Sequence, residues 1–295
     1  MCLLRQKVVA VAEDVKVNVR KLAKEEHIRT RDLWEKVFVE DTPVFLDYYY
    51  RVKTAENEIY VIEDKGQIVS MIHLNPFQMR IGDQIYDTHY IVAVATEPQY
   101  RKQGLMRKLL NFVMQEMKER KEPFTFLMPA AEEIYKPFGF AFVYEQAKGM
   151  FSGKHKDNEV TFSFAGVEDC EAMADYANRK LIDYDIVTRR TDSYYQMILK
   201  EQESEQGGIL LAKKGQEIVG MFCFAKETNF ELREPLFDEE EIFHQAIYTL
   251  TGNETEEVRC VGYGNERKSM IMAKVLQTEF EGCFEGKKVF INEVV

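Results

Sequence analysis

The sequence predicts an α/β (α+β) protein with two tandem domains, each built on a mixed central sheet flanked by helices. Three observations lead to this prediction. The chain has 295 residues, about twice the length of a typical single domain. Apolar runs of strand length alternate with segments of helical periodicity. The segment Lys65-Gly66-Gln67 recurs as Lys214-Gly215-Gln216, in both places between two apolar runs.

The first half of the chain shows strand and helix signals in a definite order. Thr42 before Pro43 is a typical helix start, with Thr as N-cap and Pro at the first helical position. The run 90–96 is apolar without alternation, which indicates a strand buried on both faces. The predicted elements are a strand at 16–22, helices at 31–39 and from Pro43, strands at 58–62, 67–74 and 90–96, a helix spanning 106–117, a strand at 124–128, a short helix at 132–138 and a strand pair at 140–150.

The second half repeats part of this order. Helical patterns at 170–182 and 192–200 precede the second Lys-Gly-Gln copy, as two helices precede the first copy. The polar stretch 152–158 marks the expected boundary. We therefore expect domains at 1–152 and 153–295.

Charge and composition exclude several classes of protein. Lys and Arg total 39 against 50 Asp and Glu, a net charge of −11. Such a surface repels phosphate backbones and suits a cationic small molecule or a basic peptide, so no nucleic-acid partner is expected. The five cysteines lie far apart without a C-x-x-C pair, which argues against disulfides and a metal site and fits a reducing cytoplasm. No apolar run approaches the ~18 residues of a membrane span, and no signal peptide is evident.

The segment that carries chemistry is the polar loop Arg101–Met106 between a buried strand and a helix. The first turn of a helix has unpaired N–H groups and the positive end of the helix dipole, and both favour a phosphate. Gly104 lets a ligand approach the backbone, and Arg101 and Lys102 add positive charge. The loop matches neither a Walker loop nor a G-x-G-x-x-G pattern. Taken alone, these residues leave a phosphate site and an ordinary strand–loop–helix connection as open alternatives.

Two stretches resemble a known family. VAVATEPQYRKQGLMRKLL resembles the acetyl-CoA-binding motif Q/R-x-x-G-x-G/A of the GNAT N-acetyltransferases, with Arg101, Gly104 and Met106 on its fixed positions. Met106 departs from the usual small residue. FLMPAAEEIYKPFGF at 126–140 resembles the enhanced-intracellular-survival subfamily, which has two tandem GNAT-like domains. That subfamily continues into a sterol-carrier-like domain, of which 270–276 and 287–295 are interpreted as a remnant.

The resemblance implies transfer of acetyl from acetyl-CoA to a primary amine of a cationic small molecule or a lysine. The pantetheine arm is expected along the central strand and the pyrophosphate on the backbone N–H groups of the loop. No metal is needed, and assembly into a homo-oligomer is possible. The implied cofactor-binding residues are Val94, Ala95, Thr96, Arg101, Lys102, Gln103, Gly104, Leu105, Met106, Arg107, Ala130 and Ala131.

The same resemblance implies the catalytic groups. Tyr135 matches the acid that protonates the departing CoA thiolate. The terminal carboxylate, here that of Val295, matches the base, and Glu293 is an alternative contact for a cationic substrate. Histidine is a common base, but His73 and His89 lie in or beside strands and are expected to be structural.

Other functions remain open at this point. The second half lacks an R-x-x-G at the corresponding place, so we expect it to bind no CoA and to wall the acceptor pocket. Met106 and the missing third domain leave room for a non-catalytic acyl-CoA-binding or scaffold protein of the same fold. An aminoacyl-tRNA donor is a third possibility, which the net charge of −11 disfavours.

Overall fold

The computed structural model describes residues 18–156, 159–226 and 230–292. Within these ranges fourteen strands form one mixed sheet, and seven α-helices pack on it. None of the helices in these ranges combines the length and the apolar character that a membrane crossing requires.

The elements of the first half follow the predicted order. They are β1 (Val19–Lys21), α1 (Arg31–Val37), α2 (Pro43–Arg51), β2 (Glu58–Asp64), β3 (Gln67–Ile81), β4 (Gln84–Thr96), α3 (Leu105–Glu119), β5 (Phe124–Leu127), α4 (Glu132–Tyr135) and β6 (Ala141–Ser152). The Thr42 hydroxyl accepts the Phe45 N–H at the start of α2, which confirms the predicted N-cap. The helix predicted to end near Phe138 continues from α4 as a short 3₁₀ turn, and Gly139 closes it with a φ of 84°.

The second half contains the remaining strands and helices. They are β7 (Val160–Phe164), α5 (Cys170–Lys180), β8 (Ile186–Thr188), α6 (Asp192–Ser204), β9 (Gly208–Lys214), β10 (Glu217–Ala225), β11 (Glu231–Phe237), α7 (Glu240–Thr251), β12 (Glu257–Val261), β13 (Glu266–Val275) and β14 (Val289–Phe290). The repeated Lys-Gly-Gln segments both close antiparallel hairpins, β2–β3 and β9–β10. The turn residues are 65–66 in the first hairpin and 215–216 in the second, so the two turns are displaced by one residue.

Two predictions near the sheet centre are wrong. The predicted strand pair at 140–150 is the single strand β6, because Gly149 pairs with Cys260 of β12 and the chain does not turn there. The segment 270–276 does not belong to a third domain. It falls largely within β13, which lies antiparallel between β5 and β6 and pairs with both.

The sheet joins the two halves of the chain without interruption. Its order is β1-β2-β3-β4-β5-β13-β6-β12-β11-β10-β9-β7, and β8 pairs with the far end of β3. The main hydrophobic core is shared in the same way. It contains Leu109 and Val113 of α3 together with Met173 and Ala177 of α5. The two halves are therefore interlocked by strand exchange and by a common core.

Candidate active site

The loop between β4 and α3 has the geometry of an anion site. Gly104 is the N-cap of α3 with a φ of 80°, and Lys102 has a φ of 64°. Both values lie in the left-handed region, which costs a non-glycine residue ~1–2 kcal/mol. Residues 101–104 are exposed, so the loop and the start of α3 are open to solvent. The unpaired N–H groups of a first helical turn and the helix dipole favour a phosphate at this place.

Arg101 holds the loop against the strand. Its Nε donates to the Thr96 carbonyl at 3.1 Å, and its backbone N–H donates to the Pro98 carbonyl at 3.3 Å. Gln103 donates to the Gln99 carbonyl at 3.3 Å. Arg101 and Gln103 therefore shape the loop, and Lys102 supplies exposed positive charge.

Near its C-terminal end, β4 is paired with a neighbouring strand on one side only. β4 and β5 are parallel and pair at a single position, Tyr90 with Phe126, within the described chain. Beyond Tyr90, β4 still pairs with β3 on its other side as far as Thr96. The peptide groups of 94–96 that face β5 thus border an opening rather than a neighbouring strand. A ligand with amide groups can bond to the strand here.

A bulge lies at the start of this opening. Ala93 has a φ of 51°, and the β3–β4 register places 93 and 94 opposite Ile72 alone. A bulge bends a strand and re-aims its peptide groups. Strained backbone in the middle of an otherwise regular strand is typical of a functional site.

Tyr135 lies at the end of α4 with its ring buried against Phe140, at 5.9 Å between centroids. Burial raises the pKa of its hydroxyl to about 12. The hydroxyl forms no hydrogen bond with any residue in the described ranges. Ala130 and Ala131 precede it and are exposed. A protonated phenol without a protein partner is suited to donate a proton to a bound group.

The start of α3 and the Tyr135 segment are in contact. The guanidinium of Arg107 lies 5.7 Å from the centroid of the Phe138 ring, three residues after Tyr135. The loop 101–104 is called the anion loop below. This loop, the opening beside β4 and the Tyr135 hydroxyl thus lie on elements of the first half that contact one another.

A cavity of about 1160 Å³ is lined by residues from both halves of the chain. The first half contributes Lys53, Asn75 and Phe77, and the second contributes Glu201 and Gln202 from α6. Met128 and Pro129 also line the cavity, so it reaches the segment that precedes Ala130. The sequence predicts a pocket walled by the second half but does not identify any of these polar residues.

The inner wall of the cavity carries buried charge. Lys53 Nζ and Glu201 Oε2 are 3.7 Å apart, with side chains only 10% and 9% exposed. The Tyr48 hydroxyl donates to Glu201 at 3.3 Å. Burial, and then the Glu201 carboxylate, raise the pKa of that phenol. Lys53 Nζ also lies 5.6 Å from the Phe77 ring centroid.

Two amides on the same wall are incompletely bonded. Asn75 is fully buried and its Oδ1 accepts from the Tyr49 hydroxyl at 3.3 Å, while its Nδ2 has no partner among the described residues. Gln202 Oε1 is equally buried and equally without a described partner. A polar residue inside a long apolar strand is a sequence signal for Asn75. The residues of α6 give no such signal, because helix polar faces are common.

The two histidines occupy different surroundings. His73 is fully buried, its Nδ1 lies 3.1 Å from the Tyr49 hydroxyl oxygen, and burial lowers its pKa to about 3. His89 Nδ1 contacts the Glu122 carboxylate at 2.9 Å, and Arg120 contacts the same carboxylate. His89 lines the cavity, whereas His73 belongs to the packing behind it.

The C-terminal segment reaches the cavity. β14 pairs in parallel with β8, Ile291 is buried, and the Asn292 side chain lines the cavity and accepts a hydrogen bond from Gln146 at 2.7 Å. Glu293 and Val295 lie outside the described residues, so their predicted roles have no structural account here.

Within 159–226 and 230–292, the described part of the second half, no loop corresponds to the anion loop. Its equivalent strand–helix connection runs from β11 to α7 through Asp238 and Glu239, and Glu240 and Glu241 follow in the first helical turn. Carboxylates at this end of a helix complement its dipole and repel a phosphate. No group of three or more His, Cys, Asp or Glu residues in the described ranges is arranged to hold a metal ion.

Comparisons with known proteins concern the family of the first half and the fold of the chain. The family of acetyltransferase (GNAT) domains matches residues 18–143. A search of curated proteins finds no match. Among solved structures, a protein of unknown function from Enterococcus faecalis V583, described as a probable N-acyltransferase, has a TM-score of 0.75 at 17% identity. The alignment covers 88% of this chain and 73% of that one.

Two further structures carry tandem or related architectures. Eis1 from Mycobacterium abscessus has a TM-score of 0.63 at 10% identity and covers 89% of this chain and 74% of its own. A tandem GNAT protein from the clavulanic acid biosynthesis pathway has a TM-score of 0.57 at 10% identity, with coverages of 89% and 99%. Residues 18–143 therefore form a GNAT acetyltransferase domain, and the chain shares its fold with tandem GNAT proteins.

Proposed function

We propose that this chain is an N-acetyltransferase that transfers the acetyl group of acetyl-CoA to the primary amine of a small molecule. The observation that carries the proposal is the opening between β4 and β5 beside an exposed anion loop, within a matched acetyltransferase domain. A CoA thioester has a diphosphate for the loop and an amide-bearing arm for the strand.

The cofactor contacts follow from the backbone. The diphosphate binds the N–H groups that open α3, with Lys102 and Arg107 as nearby cations. The pantetheine amides bond to the peptide groups of Val94, Ala95 and Thr96, which border the opening. Ala130 and Ala131 are exposed small residues beside Tyr135 and leave room for the thiol end of the cofactor.

The transfer itself uses few protein groups. The ammonium group of the substrate releases one proton to solvent, and the neutral amine attacks the thioester carbonyl, so that a C–N bond forms. The tetrahedral intermediate then collapses, the C–S bond breaks and the nitrogen releases a second proton to solvent. Tyr135 donates a proton to the departing thiolate and regains one from solvent. Its pKa of about 12 keeps it protonated at neutral pH.

The cavity supports a small acceptor. Its volume of about 1160 Å³ and its walls from both halves of the chain suit a compact molecule better than a lysine on a folded protein. The cavity lining carries both acidic and basic side chains, so the cavity does not share the excess negative charge of the whole chain.

Two measurements test the proposal. Calorimetric titration of CoA into the protein detects the cofactor site, and release of CoA thiol in the presence of an amine panel detects transfer. We expect both binding and amine-dependent thiol release. Binding of CoA without any turnover supports the alternative, a non-catalytic acyl-CoA-binding protein, and the absence of binding contradicts both.

A further inference from the structure

Four buried side chains form a polar subsite on the inner wall of the cavity. They are Lys53, Asn75, Glu201 and Gln202, which are exposed by 8%, 0%, 7% and 3%. All four line the cavity, two from each half of the chain. Charged and amide groups are rarely buried this deeply unless they are paired.

The pairing inside the subsite is incomplete. Lys53 Nζ and Glu201 Oε2 are 3.7 Å apart, whereas charge-assisted bonds are typically ~2.7–2.9 Å. Asn75 Nδ2 is a donor without an acceptor and Gln202 Oε1 is an acceptor without a donor, among the residues that the structure describes. A buried amide group left unbonded costs ~1–3 kcal/mol, so these groups are suited to bond a ligand.

The subsite lies next to the place where the thioester is expected. Asn75 of β3 pairs directly with Tyr90 of β4, and Tyr90 is the β4 residue that pairs with Phe126 of β5. A molecule held by Asn75 is therefore close to the end of the opening in which the pantetheine arm is proposed to lie.

We propose that the acceptor is an amino acid, that is, an amine that also carries a free carboxylate, and that the polar subsite binds this pair of charges. The carboxylate accepts hydrogen bonds from Lys53 Nζ and Asn75 Nδ2. The amine donates to Glu201 and to Gln202 Oε1. An α-amino acid presents both groups on one carbon, which matches a lysine and a glutamate that face each other at 3.7 Å. This inference rests on the proposed acetyl transfer.

The inference differs from the sequence-based expectation of a cationic amine. A polyamine or aminoglycoside leaves Lys53 facing like charge in a buried site, which is unfavourable. An amino acid satisfies the lysine, the glutamate and both open amide groups at once.

The decisive experiment uses the unmodified protein and matched acceptors. Lysine, arginine and phenylalanine are each compared with their carboxamide and with their decarboxylated amine, with thiol release as the readout. We expect kcat/KM to be at least about tenfold higher for the free amino acid in at least one series, because the decarboxylated amine leaves Lys53 and Asn75 without an acceptor and the carboxamide offers them one neutral oxygen in place of a carboxylate. Equal or faster turnover of the amides and decarboxylated amines in every series overturns the inference.

Variants of Lys53 test whether this lysine causes the preference for a free carboxylate. Lys53→Met keeps the alkyl stem against Phe77 and removes the charge, and we expect it to raise KM for the amino acid about tenfold while KM for its decarboxylated amine does not rise. Lys53→Arg is expected to restore most of the preference. Lys36→Met removes a lysine that is 59% exposed and serves as the control. If Lys53→Met alone does not fold, Lys53→Met/Glu201→Gln removes both charges together.

Failure of the inference is distinguishable from failure of the proposed function. Turnover without a preference for the carboxylate overturns the subsite and leaves acetyl transfer standing. If no amine is turned over, calorimetry of each amino acid and its amide with the CoA-loaded protein decides the subsite alone. Tighter binding of the amino acid then supports it, and equal or absent binding overturns it.

Discussion

The guanidinium of Arg107, in the first turn of α3, stacks over the ring of Phe138 at 5.7 Å. This contact joins the first turn of α3, which follows the anion loop, to the 3₁₀ turn that follows Tyr135, thirty residues further along the chain. Because both are attached to one core, a diphosphate on the loop and a thiol near Tyr135 have a fixed separation.

Replacement of Tyr135 by Phe tests the proton donor. The ring is buried against Phe140 and is retained, so we expect the melting temperature to change little. General acids typically contribute about 10²-fold or more, and we expect kcat to fall by about that factor while the Kd for CoA is unchanged.

The matched control is Tyr60→Phe, which removes a hydroxyl bonded to Glu58 on another wall of the domain. It should retain normal kcat. Full thiol release by Tyr135→Phe contradicts the assignment of this phenol as the acid.

Replacement of Gly104 by Ala tests the anion loop. A Cβ at Gly104 meets no atom within 4 Å, so its cost comes from the φ of 80° alone, ~1–2 kcal/mol. We expect the strained loop to re-aim its N–H groups and to weaken CoA binding about tenfold in a calorimetric titration.

Gly66→Ala is a close control for this variant. Gly66 has a φ of 81° and equally open surroundings, but it lies in the β2–β3 turn. Both variants should lose similar stability in urea unfolding, and only Gly104→Ala should lose affinity. An equal effect on affinity, or none in either variant, argues against the loop as the diphosphate site.

The sequence predicts the local elements well because their signals are local. The Thr42-Pro43 helix start, the apolar run of β4 and the Gly104 turn each depend on a few neighbouring residues. The strand exchange of β13 does not. Its partners in β5 and β6 lie more than a hundred residues away, and its apolar run is equally compatible with a separate domain. Pairing of this kind depends on tertiary packing, which no single-sequence pattern encodes.

The same limit applies to the candidate site. The Arg101–Met106 loop is continuous in sequence and is predicted from its motif. The polar subsite combines Lys53, which follows α2, and Asn75 of β3 with Glu201 and Gln202 of α6, residues that are far apart in sequence and line one cavity only in the folded chain. Lys53 and Glu201 each look like an ordinary solvated charge on a helix, and only their burial in the folded chain distinguishes them.

The buried pair of Arg190 and Glu234 is expected to be a strong determinant of stability. The Arg190 side chain is fully buried, bonds Glu234 at 2.7 Å and lies 4.4 Å from the Tyr194 ring centroid. We expect Glu234→Ala to lower the free energy of unfolding by about 3–5 kcal/mol in urea, because a fully buried guanidinium loses a carboxylate that is bonded to it.

Two comparisons make this prediction specific. Arg190→Met/Glu234→Ala removes both charges and should be less destabilised than Glu234→Ala alone. Lys136→Ala breaks the Lys136–Glu132 pair, whose side chains are 57% and 36% exposed, and should cost less than about 1 kcal/mol. A double variant that is less stable than Glu234→Ala is incompatible with a coupled buried pair.

The stability of the protein should fall on mild acidification because of His73. Burial lowers the pKa of His73 from 6.5 to about 3, so the folded state keeps the ring neutral while the unfolded state binds a proton. The contribution of neutral His73 to the free energy of unfolding is therefore fully present above pH 6.5. It is lost as the pH falls toward 3, by up to ~1.4 kcal/mol per pH unit. Burial also lowers the pKa of His27, so His27 contributes further loss of stability on acidification.

Urea unfolding between pH 7.5 and 4.5 tests this reason. His73→Gln should show a shallower pH dependence of the free energy of unfolding than the unmodified protein, and His155→Gln, at an exposed position, should not. An unchanged slope in His73→Gln means that another group is responsible for the acid sensitivity.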